Sequence, residues 1–198
     1  MMTGTALAAS TTLAAWSQGY PDQAIKIYQG FAPGGNADII ARVIGTEMSK
    51  DMGQPVLIEA RTGAGGTIAA TTVARAKPDG YTLLLATGGH AVAGAMYNSL
   101  PYKTVDDFEM ISTITYFPFL VVTGADSKYR NFADLLAAAR ATPGSVAYGT
   151  AGIGTTHHLA GALLSKMANV QMLHIPYRGD AASLAALLSN DVPFIIAP

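Results

Sequence analysis

Two glycine-rich segments about 120 residues apart follow one plan. The first is Phe31-Ala32-Pro33-Gly34-Gly35-Asn36-Ala37-Asp38. The second is Tyr148-Gly149-Thr150-Ala151-Gly152-Ile153-Gly154-Thr155-Thr156-His157. Each runs from an aromatic residue through glycines to polar residues that suit a helix start. Glycine lets the backbone approach a ligand closely and adopt positive φ. The first turn of a helix leaves N–H groups unpaired and carries a partial positive charge. Such a turn binds a carboxylate or phosphate through its backbone alone. Neither segment contains Lys or Arg, so the chemistry suggested is recognition of a small anion by amides. Either turn by itself reads first as a plain strand end and helix start. Two of one plan, on successive units, point to binding.

Other chemistries fit less well. The phosphate-binding pattern GxxxxGK[ST] is absent, and both Gly63-Ala64-Gly65 and Gly152-Ile153-Gly154 lack the third glycine of a dinucleotide fingerprint. There is no GxSxG elbow and no HExxH. His157 and His158 are adjacent, about 100° apart on a helix, and do not readily share a metal. His157 could touch a ligand, but a packing or solvent-facing histidine is the first reading. His90, after Gly88-Gly89, sits at a strand end as a rim candidate. Arg61 and Arg178 read first as surface salt-bridge formers. With no cysteine in the chain, disulfides, thiolate metal sites and Cys nucleophiles are excluded. No catalytic residue, metal or cofactor is expected; Asp38 and His157 are candidate acid–base groups without a visible partner.

These turns need elements to hold them. Half the residues are hydrophobic and 13% are charged, which supports a buried core and excludes a disordered chain. Twelve basic residues face 13 acidic ones without a basic block, which argues against nucleic acid. Ile25–Tyr28, Val56–Glu59 and Tyr81–Leu85 read as strands, the last fully covered on both faces. Between them, Ile39, Ile40, Val43, Ile44 and Met48 recur at helical spacing, and a small-residue helix runs to about Lys77. Met110–Thr123 is strand-rich. Asn131 caps a helix carrying Phe132, Leu135 and Leu136. Val146–Tyr148, a helix with Leu159 and Leu163, Met172–His174, a helix with Leu184 and Leu187, and a strand from Val192 follow. This alternation predicts an α/β fold with largely parallel sheets and right-handed crossovers.

The ends carry two further expectations. Met1–Gly19 has no charge, and Ala6–Trp16 is a short apolar run followed by small residues. It resembles the core and cleavage region of a secretory signal, without the positive start, and is too short to span a membrane. At the other end, Val192–Pro198 reads either as an edge strand closed by Pro198 or as the point where a longer chain is cut.

The run Pro33-Gly34-Gly35-Asn36-Ala37-Asp38 with Ala41-Arg42 resembles the PGGxxDxxAR segment of Bug-type substrate-binding proteins, the periplasmic receptors of tripartite tricarboxylate transporters. Gly53-Gln54-Pro55-Val56, Gly63–Gly66, Pro78-Asp79-Gly80-Tyr81-Thr82-Leu83 and Leu100-Pro101-Tyr102 are similar to that family's next blocks in order. So are Tyr148-Gly149, Gly152–Thr156 with His158-Leu159-Ala160, and Pro176-Tyr177-Arg178-Gly179. The resemblance runs from about Tyr20 to Pro198. It implies a type II periplasmic-binding-protein fold: lobe 1 over residues 20–122, lobe 2 over 123–198, and a signal-peptide remnant over 1–19. Family members complete the second lobe and return to the first, so this chain reads as truncated. The implied function is an exported, monomeric solute receptor that binds a small organic carboxylate between its lobes and delivers it to membrane transporter subunits. The implied ligand-binding positions are Gly34, Gly35, Asn36 and Asp38, then Gly152, Gly154, Thr155 and Thr156. The sequence departs from the family at Ala93-Gly94, where Asn-Pro is frequent, and at Asp180, where a small residue is common. An α/β enzyme acting on a carboxylate or phosphate ester, and a ligand-sensing co-receptor of the same fold, are the competing readings.

Overall fold

A computed structural model describes residues 19–198. The signal-peptide reading of the N-terminus therefore lies, but for Gly19, outside the described residues. Strands and helices alternate from β1 (Ile25–Gln29) through α1 (Asn36–Met52), β2 (Val56–Ala60), α2 (Thr67–Ala74), β3 (Thr82–Leu84) and α3 (Gly88–Met96). After a long irregular stretch come β4 (Leu120–Thr123), α4 (Phe132–Ala141), β5 (Ala147–Thr150), α5 (Thr156–Met167), β6 (Leu173–Pro176), α6 (Asp180–Leu188) and β7 (Phe194–Ala197).

The strands form two sheets. The first has the order β2-β1-β3 and is parallel throughout. The second has the order β4-β7-β5-β6, with β7, β5 and β6 parallel and β4 antiparallel to β7. All four residues of β4 pair in the second sheet, so the change of sheet precedes Leu120. The second sheet has the larger core: Tyr148, Phe194, Ile196, Leu135, Val146 and Val170 pack on one face. Leu187, Val192 and Ile195 pack with Ala186 as a second cluster.

Four local expectations change. Ile39 and Val43 are more than half exposed, while Ala37, Ala41 and Gly45 form the buried stripe of α1. A Cβ on Gly45 would stand 2.9 Å from Ile58 Cδ1, so small side chains let α1 lie close on β2. The strand β3 lies at a sheet edge and is only half-buried. Residues 110–119 form no strand, and Ile111 and Tyr116 are exposed. Their side chains suit a strand, but a strand needs a hydrogen-bonded neighbour, and none pairs with them among the described residues. Finally, β7 is a central strand, paired on both sides, with Phe194, Ile195 and Ile196 almost fully buried. The cap at Asn131 is as expected: its side chain accepts a 3.0 Å hydrogen bond from the Asp134 amide.

Candidate functional site

In a parallel α/β sheet every strand delivers its loop to the same side, and ligands bind outside the carboxyl ends of the strands. Here the loops after β1, β2 and β3 meet the loops after β5 and β6. Gly30 packs so tightly on Gly66 that no Cβ fits between them. Gly65, at φ +66°, presses on the second glycine turn; a Cβ there would be 3.0 Å from the carbonyl carbon and oxygen of Gly154. A Cβ on Gly88 would meet Thr156 Cγ2 at 2.6 Å, and one on Gly179 would meet the Ala32 amide at 3.4 Å. The two sheets thus face each other across a closed seam of glycines. Beside it, Phe31, Gly65, Thr87 and His90 help line a void of about 10 Å³, room for roughly one water.

The first turn is shaped by side chains of its own unit. Gln29 is fully buried at the end of β1, and its Oε1 accepts from the Phe31 amide at 2.8 Å. Asp38, 4% exposed, accepts from the Gly34 amide at 3.0 Å and from Arg42 Nε at 2.9 Å through Oδ2, and from Gln29 Nε2 at 3.5 Å through Oδ1. The Arg42 guanidinium holds this carboxyl below its ordinary range, assisted by the Gly34 amide and opposed by burial. Both oxygens are engaged within this unit, so Asp38 braces the turn. Gly34 takes φ +82° and a Cβ on it would meet nothing within 4 Å: this backbone faces open space.

The second turn is built differently. Thr155, 1% exposed, caps α5 by accepting from the His158 amide at 3.2 Å, and it donates to the Gly152 carbonyl at 2.7 Å. Its hydroxyl is also spent within the turn. Thr156 opens α5 beside Gly88, and no hydrogen bond engages its hydroxyl among the described residues. Of the eight positions singled out, Gly34, Gly35 and Asn36 open α1, and Gly152, Gly154, Thr155 and Thr156 open α5. The structure gathers both groups on one seam. Gly65, Gly88 and Tyr97, whose hydroxyl would be 3.2 Å from a Cβ on Gly154, escaped the sequence reading. The glycines after β2 and β3 were the available signal.

Most helix starts at this seam lack a side-chain cap of their own. The N-caps of α1, α2, α3 and α6 are Gly35, Gly66, Thr87 and Gly179, and none supplies a side-chain cap. For α1 the missing cap arrives from α6: the Asn36 amide donates to Asp180 Oδ2 at 3.3 Å. Asp180 Oδ1 lies 3.0 Å from His157 Nε2 on α5. The pair is close but misaligned, and neither atom completes a hydrogen bond. His157 is 8% exposed, stacks edge-on against Phe119 at 4.7 Å, and both its ring nitrogens lack partners among the described residues. His90 is a packing residue: Nε2 is 2.7 Å from the Thr104 carbonyl, and the ring lies against Tyr102 and Phe108. Arg61 pairs with Glu59 at 3.4 Å. Among the described residues no three His, Cys, Asp or Glu side chains gather as a metal site, and no helix is long and apolar enough to cross a membrane.

A family model described as tripartite tricarboxylate transporter family receptor matches residues 40–198. A UPF0065 protein from the tcbD-tcbE intergenic region of Pseudomonas sp. (strain P51) is 39% identical over 191 residues, covering 96% of this chain and 57% of that protein. BugT of Bordetella pertussis is 34% identical over 175 residues, covering 87% and 54%. Among solved structures, R. palustris Rpa4515 with adipate superposes with a TM-score of 0.86 at 32% identity. The periplasmic binding protein BugD does so at 0.84 and 33%, each covering 90% of this chain and 60% of the other. MatC from Rhodopseudomonas palustris with bound malate gives 0.84 at 31%, covering 90% and 61%. The chain spans a little over half the length of these relatives.

Proposed function

The chain belongs to the tripartite tricarboxylate transporter receptor family, and on that premise we propose that it binds a small organic carboxylate between its two sheets. The sheets act as two lobes, residues 20–119 and 120–198. The observation that carries the reading is the seam itself. Helix starts from both sheets converge there, most without a cap of their own, and the turns that open α1, α3 and α5 contain no Lys or Arg. Exposed N–H groups and helix dipoles hold an anion without a cationic side chain. The Gly34-Gly35-Asn36 segment meets one end of the ligand: the Gly35 and Asn36 amides exchange their long bonds to the Ala32 carbonyl (3.4 Å) and to Asp180 (3.3 Å) for the carboxylate, while the Gly34 amide stays on Asp38. The amides after Gly154 and the Thr156 hydroxyl meet the other; Gly152 and Thr155 keep that turn in shape. The adipate of Rpa4515 and the malate of MatC support a small organic acid as the ligand, held at the seam by a carboxylate.

The role is that of an exported receptor in the periplasm, monomeric, handing its ligand to the membrane subunits of a tripartite transporter. The binding step needs no nucleophile. Among the described residues His157 beside Asp180 is the one imidazole–carboxylate pair at the seam, and an enzyme would place a nucleophile on the far ring nitrogen. Nδ1 of His157 has no hydrogen-bond partner among the described residues. Mass spectrometry of small molecules released from the purified chain tests the reading, followed by calorimetric titration with the acid identified. A released carboxylate that rebinds saturably supports it. Absence of any released carboxylate, and of heat on titration with adipate or malate, contradicts it.

A further inference from the structure

The three helix starts α1, α5 and α6 meet around one group, the Asp180 carboxylate. It opens α6, substitutes for the cap that Gly35 cannot give α1, and faces His157 of α5. An anion site therefore already contains an anion. Its compensation is incomplete. The Asn36 amide is a single, long hydrogen bond at 3.3 Å, and the His157 contact is misaligned. Arg42 on α1 is spent on Asp38, and Arg178 beside Gly179 is exposed. Among the described residues, buried Oδ1 of Asp180 has only the misaligned His157 Nε2 at 3.0 Å, and Nδ1 of the almost fully buried His157 has no partner. Such groups cost free energy unless something satisfies them. Orphaned acceptors call for a donor, and a fixed negative charge in a partly dry seam repels a second carboxylate.

Resting on the carboxylate-receptor reading above, we infer that Asp180 is a specificity-determining residue. It selects a ligand with one carboxylate for the open helix starts and an ammonium group for Asp180. A plain dicarboxylate leaves Oδ1 unsatisfied and adds a like charge beside it. An ω-amino acid removes both penalties.

Matched probes test this: succinate against 3-aminopropanoate, and adipate against 5-aminopentanoate, each pair differing by one carboxylate replaced by an ammonium. Calorimetry is run on the full chain and on Asp180→Ser and Asp180→Asn, with circular dichroism for each. The amino acid of at least one pair should bind about tenfold or more tightly than its dicarboxylate, and both substitutions should reverse or erase that preference. If the dicarboxylates bind the unaltered chain more tightly, or the preference survives both substitutions, the role of Asp180 is overturned and the carboxylate-receptor reading stands. If the folded chain binds neither class, both fall.

Discussion

Thr155→Val separates what holds the second glycine turn from what the turn offers a ligand. The substitution keeps the shape of the side chain and removes one oxygen. That oxygen accepts from the His158 amide and donates to the Gly152 carbonyl. Losing an N-cap costs about 1 kcal/mol. Leaving a carbonyl unpaired costs about 1–3 kcal/mol, with the lower end apt because Gly152 is half-buried. The sum is about 2–3 kcal/mol, a fall in Tm of about 4–12 °C for a chain of this size. Thr156→Val is the matched control, because no hydrogen bond holds the Thr156 hydroxyl among the described residues. Its stability should change by less than about 0.5 kcal/mol. If that hydroxyl meets the carboxylate, binding weakens about ten- to hundredfold, the worth of a hydrogen bond to a charged group. Urea and thermal unfolding by circular dichroism measure the first effect, and calorimetry with the carboxylate released from the purified chain measures the second. An unchanged Tm for Thr155→Val refutes the cap argument. Unchanged affinity for Thr156→Val removes its hydroxyl from the site.

Gly65→Ala should impair closure, since φ is +66° and the new Cβ would stand 3.0 Å from the Gly154 carbonyl. About 1–2 kcal/mol of stability and at least tenfold in carboxylate affinity should be lost, and unchanged calorimetric affinity would count against contact between the sheets as the binding geometry. His174 gives a pH effect. Burial, and secondarily the neighbouring His158, lowers its pKa from 6.5 to about 4. The unfolded chain therefore takes up the proton first, so stability is full above about pH 6.5 and falls as the pH drops towards about 4. His174→Gln should remove part of that slope in a Tm–pH series; an identical slope would show that His174 carries none of it.

The sequence made the order of elements readable because glycine turns punctuate it. It misled on α1, where Ile39 and Val43 outrank Ala41 and Gly45 in hydrophobicity, yet only the small residues allow the helix to reach Ile58. Residues 110–119 have strand composition, but pairing is a property of the sheet, not of the segment. At the site, the two helix starts at Asn36 and Thr156 were legible because both follow glycines after a strand. Which loops would meet them was not, because the strand orders β2-β1-β3 and β4-β7-β5-β6 decide that Gly65 and Gly88 reach Gly154 and Thr156. The duties of Asp38 and Thr155 were hidden for another reason. Buried polar groups must find partners, and both found them inside their own turns.

The central claim is that backbone amides at the starts of α1 and α5 hold the carboxylate. A titration of the ¹⁵N-labelled chain, followed by amide chemical shifts, tests it most directly. The account predicts that the released carboxylate moves the amides of Gly34, Gly35 and Asn36 together with those of Thr155, Thr156 and His157, all along one binding curve. Saturable shifts elsewhere, with these six unmoved, would contradict it.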